Sequence, residues 1–172
     1  MRVYLPTTLD GLAAAYLAGA FDAVPLPAHA VTPAVREWYV SGDLEELEYA
    51  ALTEAAEASL RALAAAVSIG RDPSFRRVVV AADVPDVAVR PRADELFRSA
   101  VSVAVAVPLE DVASVHVDES EAADVVSAAV AALPAADAGD DDARFALDEA
   151  EATELLWYDV TEIPDLIPVQ GS

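Results

Sequence analysis

Between residues 41 and 67 apolar side chains return every three or four positions, so that Tyr49, Leu52, Ala56, Leu60, Leu63 and Val67 form one stripe of a helix. Asp43 is placed to cap its start, with Glu46 at the third helical position as a capping box requires. Gly70, Asp72 and Pro73 stop it, and Glu57 and Arg61, one turn apart, make an exposed ion pair on its outer side.

Elsewhere the pattern is shorter or unbroken. Residues 3–6 predict a first strand, after which Thr7 or Thr8 caps a helix that sets Leu9, Leu12, Tyr16 and Leu17 on one face and ends near Gly19. Pro25 and Pro27 break the chain before a second strand at 28–32, and Pro33 starts a helical turn carrying Arg36, Glu37, Trp38 and Tyr39. "FRRVVVAADVP" (75–85) and "AVSVAVAVP" (100–108) have continuous apolar centres, the mark of strands deep in a sheet, and "VASVHVD" (112–118) is a third. The connection containing "RPRADELF" is too long for a tight hairpin and belongs on the surface. Asp118 or Ser120 begins a helix ended by Pro134, and "GDDDARFALDEAEA" predicts another with Asp140, Asp141 and Asp142 at its start. "LLWYDV" reads as a last strand and "IPDLIP" as a turn or short helix. This order predicts an α+β fold, a mixed sheet of about five or six strands packed with helices in a two-layer or three-layer sandwich. Residues 1–168 are expected to form a single domain, with 169–172 a short flexible tail.

Composition sharpens that picture. Of 172 residues 55% are hydrophobic, which argues for a folded chain despite a net charge of −21. Alanine and valine supply much of that fraction, so the few large side chains carry unusual weight. All ten basic residues are arginine. Codon bias in a GC-rich genome is the simpler account of this and adaptation to high salt the sharper one; composition does not separate them. A pI near 4.1 excludes nucleic acid as a direct partner and disfavours anionic membranes, leaving basic proteins, cations and neutral small molecules. The absence of cysteine excludes disulfides, thiolate metal sites and thiol nucleophiles. The N-terminal stretch resembles a signal peptide only superficially, because Pro6 and Asp10 interrupt it, and the longest charge-free apolar run, 99–109, is too short to span a bilayer. A cytoplasmic location is expected.

The segments "MRVYLPTTL", "AVTPAVREWYVSGDLEELEYAAL", "RRVVVAADVPD", "VPLEDVASVHVDE" and "ELLWYDVTEIPDL" resemble a family of actinobacterial proteins of unknown function over nearly the whole length. The resemblance implies a small cytoplasmic protein of GC-rich origin. It implies no activity, catalytic residue or ligand.

The residues themselves offer few candidates for chemistry. In "VHVDE" a strand would turn His116 and Asp118 to the same face, where the carboxylate could orient the imidazole as general-base and metal sites require. The plainer reading makes Asp118 the cap of the next helix. His29 is the only other histidine, and no HxH or HExxH spacing accompanies either, so no metal or other cofactor is expected. "GDDDARFALDE" lacks the ligand spacing and central glycine of an EF-hand, and there is no P-loop, GxGxxG or GxSxG. What remains are two Trp-Tyr pairs beside acids, Trp38-Tyr39 and Trp157-Tyr158. Both tryptophans are expected mainly in the core, with Tyr39 and Tyr158 nearer the surface. There Tyr39, Glu45, Glu46, Tyr158 and Asp159 would form an acidic, aromatic-edged rim that selects a basic protein partner. The sequence thus predicts a non-enzymatic accessory or protein-interaction domain. The rival is a small metal- or metabolite-dependent enzyme using His116 with nearby carboxylates, and self-association is a third outcome.

Overall fold

Valine-rich strands alternate their side chains between two faces, and both faces of the resulting sheet are covered over most of its width. The computed structural model describes residues 1–168; the tail expected at 169–172 lies outside the described residues. In chain order the elements are β1 (Arg2–Thr7), α1 (Leu9–Ala18), β2 (Ala20–Phe21), β3 (Leu26–His29), α2 (Pro33–Trp38), α3 (Leu44–Ser68), β4 (Val78–Asp83), β5 (Val89–Pro91), β6 (Ala100–Val103), β7 (Val107–Pro108), β8 (Val112–Val117), α4 (Ala123–Asp137), α5 (Asp141–Glu151), β9 (Leu156–Tyr158) and α6 (Ile163–Leu166).

The fold class is α+β, as expected. The sheet has seven strands in the order β5-β6-β3-β1-β4-β8-β9, and a separate two-stranded ribbon pairs β2 with β7. Every described pairing is antiparallel, where a mixed sheet was expected. The difference arises because no helix joins parallel strands that are neighbours: β1 and β3, on either side of α1, pair antiparallel, and β3 and β4, on either side of α3, run the same way but have β1 inserted between them. On one face Val3, Leu5, Val78, Val80, Val101, Val103, Val115 and Val117 pack against Leu9 and Leu12 of α1, Val107 of the ribbon and Ile163 of α6. Gly19 ends α1 in the left-handed region (φ 82°), which lets the chain turn directly into the ribbon.

The other face is covered by α3. Asp43 caps it as expected, accepting the Glu46 N–H at 2.9 Å. Its buried stripe is offset from the expected one. Leu47, Ala51, Ala55, Ser59 and Leu63 face inward, and Ala51, Ala55 and Ala56 meet Val79, Ala81 and Tyr4. Small side chains let the helix axis approach the strands, and close packing then outweighs the burial that larger residues would give. Ser59 fixes the contact: its hydroxyl donates to the Thr7 carbonyl (2.6 Å) and accepts the Val78 N–H (2.9 Å). Beyond the sheet the end of α3 packs with α4 and α5 through Leu60, Leu63, Val126, Val130, Leu133 and Leu147. Here α4 runs through Pro134 to Asp137 rather than ending at the proline. One lost N–H bond near a helix end is affordable where Val130 and Leu133 are locked against α5.

Candidate functional site

Alternation along β1 places Val3 and Leu5 on the α1 face and Arg2 and Tyr4 on the α3 face. Strand β8 does the same with Val115 and Val117 against Ser114 and His116, aided by a register shift opposite Ala81 and Ala82 that re-aims the residues on either side of Ala113. Cross-strand register then builds a floor: Tyr4 lies opposite Ala81 and Ala81 opposite Ser114, while His116 is flanked by Val79 and Trp157. Because α3 lies over β3, β1 and β4, the ground above β8 and β9 stays open. The result is a cleft of about 310 Å³ between α3, which offers Glu45, Glu48, Tyr49 and Leu52, and the floor, which offers Arg2, Tyr4, Ser114, His116 and Trp157.

Its polar groups are ordered. The Tyr4 hydroxyl donates to Glu48 Oε2 at 3.0 Å, and burial, followed by that neighbouring carboxylate, raises its pKa so that it stays protonated. Arg2 binds both oxygens of Asp83, at 2.8 and 3.1 Å, which holds that carboxyl below its usual range. Ser114 Oγ and His116 Nε2 are 3.0 Å apart, donor and acceptor depending on the tautomer. Burial, and secondarily Arg2, lowers the His116 pKa and favours the neutral imidazole. Tyr49 and Trp157 are each 61% exposed and border this space with aromatic surface. A second hollow of about 180 Å³ continues from Tyr49 and Leu52 toward Leu147 and Leu155, with Arg77 in its wall.

Residues 1–167 match the model of a family described as being of unknown function, DUF6912. The chain belongs to that family. No curated protein and no solved structure matches it. For this DUF6912 protein the cleft is therefore described by its own chemistry alone.

Of the residues singled out from the sequence, the DUF6912 cleft gathers His116 and Glu45. Asp118 is elsewhere. It lies just past β8, wholly buried, and accepts from the Arg77 N–H (2.7 Å), Nε (2.8 Å) and Nη2 (2.8 Å). It neither orients His116 nor caps α4, whose N-cap Ala122 has no side-chain bond. A buried arginine held on three sides is a stronger claim on that carboxylate than either role. His29 is buried on β3, bonded to Ser99 Oγ at 2.8 Å and edge-on to Phe97, three strands across the sheet from His116. Among the described residues no group of three or more His, Asp or Glu is placed to hold a metal ion, and no helix is long and apolar enough to cross a membrane.

The tryptophans correct an expectation. Both are 61% exposed, and in the second pair it is Tyr158 that packs inward, against the α1-side core. Trp157 faces the cleft because it sits opposite His116, on the side that α3 leaves open. Trp38 lies on the other side of α3, with the Arg98 guanidinium 3.6 Å over its ring. Tyr39 is exposed beside it, Glu46 lies in the first turn of α3, and Asp159 caps the turn at Val160–Glu162 in a capping box. Sequence reasoning missed Arg2, Tyr4, Ser114 and Tyr49 as cleft residues. The two-residue period of "RVYLPT" and "VASVHV" could have found the strand members.

Proposed function

We propose that this protein is an interaction domain whose acidic, aromatic-lined cleft face receives a basic segment of a protein partner. One observation carries the reading: two large aromatic side chains, Tyr49 and Trp157, stand exposed around a cleft that holds Glu45 and Glu48, on a chain of net charge −21. Exposed aromatic anchors with a charged rim are the anatomy of interface centres, and the long-range field steers a cationic partner toward them. Glu46, in the first turn of α3, and Asp159, next to β9, add negative charge to the two elements that border the cleft.

The test is affinity capture from native lysate on the wild-type protein and on Glu45→Lys/Glu48→Lys. The reading expects basic proteins that are retained by the wild type, released by salt and lost with the double variant. Identical capture by both proteins would remove it.

A second reading is supported by the Ser114–His116 hydrogen bond on the cleft floor: a small enzyme using neutral His116 as a base, with a metal or metabolite held by the neighbouring carboxylates. It expects a metal- or metabolite-induced rise in Tm that His116→Ala abolishes. A screen with no such rise removes it.

A further inference from the structure

Resting on the reading of a basic partner, we propose that the cleft between α3 and the β8–β9 edge is a guanidinium site, and that the partner enters it with an arginine rather than a lysine. The volume of about 310 Å³ is at the lower end of the range for small-ligand sites and suits one long side chain better than a cofactor. The walls are the two exposed rings, Tyr49 and Trp157, and a planar guanidinium stacks on aromatic faces where an ammonium, compact and strongly hydrated, does so less well.

Helix α3 supplies the matching acceptor. Glu48 is held in place by the Tyr4 hydroxyl through Oε2, while Oε1 takes no hydrogen bond from the described residues, and Glu45 lies in the same wall. A carboxylate fixed in orientation is the group that a forked donor recognises best. The one cation lining the cleft, Arg2, is bonded through two nitrogens to Asp83, so that this pair carries no net charge, although the guanidinium still acts on Glu48 and His116. Glu45 and Glu48 therefore leave the cleft locally anionic. His116, neutral through burial, adds no opposing charge. The molecule contains the same recognition in intramolecular form: across α3, Arg98 lies 3.6 Å above the ring of Trp38, itself an exposed tryptophan.

The experiment uses the full chain carrying Trp38→Phe, in which Trp157 is the only tryptophan and Arg98 keeps a ring to stack on. Blocked hexa-arginine and hexa-lysine peptides are titrated by calorimetry, and Trp157 emission is followed in parallel. Hexa-arginine should bind about fivefold tighter than hexa-lysine and quench Trp157. Glu48→Gln, which keeps an acceptor for Tyr4, should weaken hexa-arginine and erase the preference. Tyr49→Ser, at an exposed position, should do the same and covers the case in which the first variant fails to fold. If both peptides bind equally, Trp157 emission is unmoved and both variants bind like the parent, the guanidinium site is overturned while the basic-partner reading stands. If neither peptide binds, both fall.

Discussion

Removing the Asp118 carboxylate distinguishes a buried structural tether from the helix cap that sequence alone favours. Asp118→Ala would leave the Arg77 guanidinium, 3% exposed as a residue, with the Thr153 carbonyl at 2.9 Å as its one remaining partner among the described residues. Three hydrogen bonds from Arg77 to Asp118 disappear together, while the backbone bonds at this position, Arg76 Nε to its carbonyl at 2.8 Å and its N–H to the Arg77 carbonyl at 3.1 Å, remain. An uncompensated buried charge of this kind costs about 3–5 kcal/mol, whereas an N-cap costs only ~1 kcal/mol. Against a total stability of about 5–15 kcal/mol for a domain, the loss is large. For a chain of 172 residues it corresponds to a Tm lowered by roughly 6–20 °C. Urea unfolding followed by far-ultraviolet circular dichroism measures it directly. The paired replacement Arg77→Met/Asp118→Leu removes both charges and should recover most of the loss. A single-variant cost near ~1 kcal/mol with an unchanged m-value would refute the argument and show that water reaches Arg77.

Two further perturbations probe the packing that positions the cleft. Ser59→Ala strands the Val78 N–H and the Thr7 carbonyl under α3 and should cost about 1–3 kcal/mol in a denaturant titration; a change of a few tenths would mean that α3 is not held there. Burial, and secondarily Arg92, holds the His29 pKa at about 4, below its ordinary 6.5. The unfolded chain therefore takes up the proton first, so this contribution is whole above pH 6.5 and is lost as pH falls from there through about 4, amounting to roughly 3 kcal/mol. Wild type should lose stability more steeply than His29→Gln across that window, and parallel curves would contradict the assignment.

What the sequence disclosed and what it hid divide along physical lines. Local signals survived: Asp43 capping α3, the acidic start of α5 at Asp140, and the valine runs that became β4 and β8. Short or long-range features did not. The ribbon of β2 and β7 is two residues long on each side and leaves no periodic trace. The partner of Asp118 is 41 residues away, so only local readings, a helix cap or an orienter of His116, were available. The stripe on α3 was read from the bulkiest residues, while the fold buries Ala51 and Ala55 and turns Tyr49 out. Trp157 was expected inside because large aromatics usually are; its exposure follows from where α3 stops, a tertiary fact.

That alanine seam has a consequence for how the cleft is specified. Ala51 and Ala55 touch no occupant, yet they set how low α3 sits and therefore the gap between Tyr49 and Trp157. They act as a spacer behind the wall. A single added methylene there wedges the helix outward, because a packed interior transmits the displacement rather than absorbing it. The calibre of the opening is thus encoded by residues that no survey of its lining would name, and a chain with bulkier side chains at those two positions would keep the same rim around a wider gap.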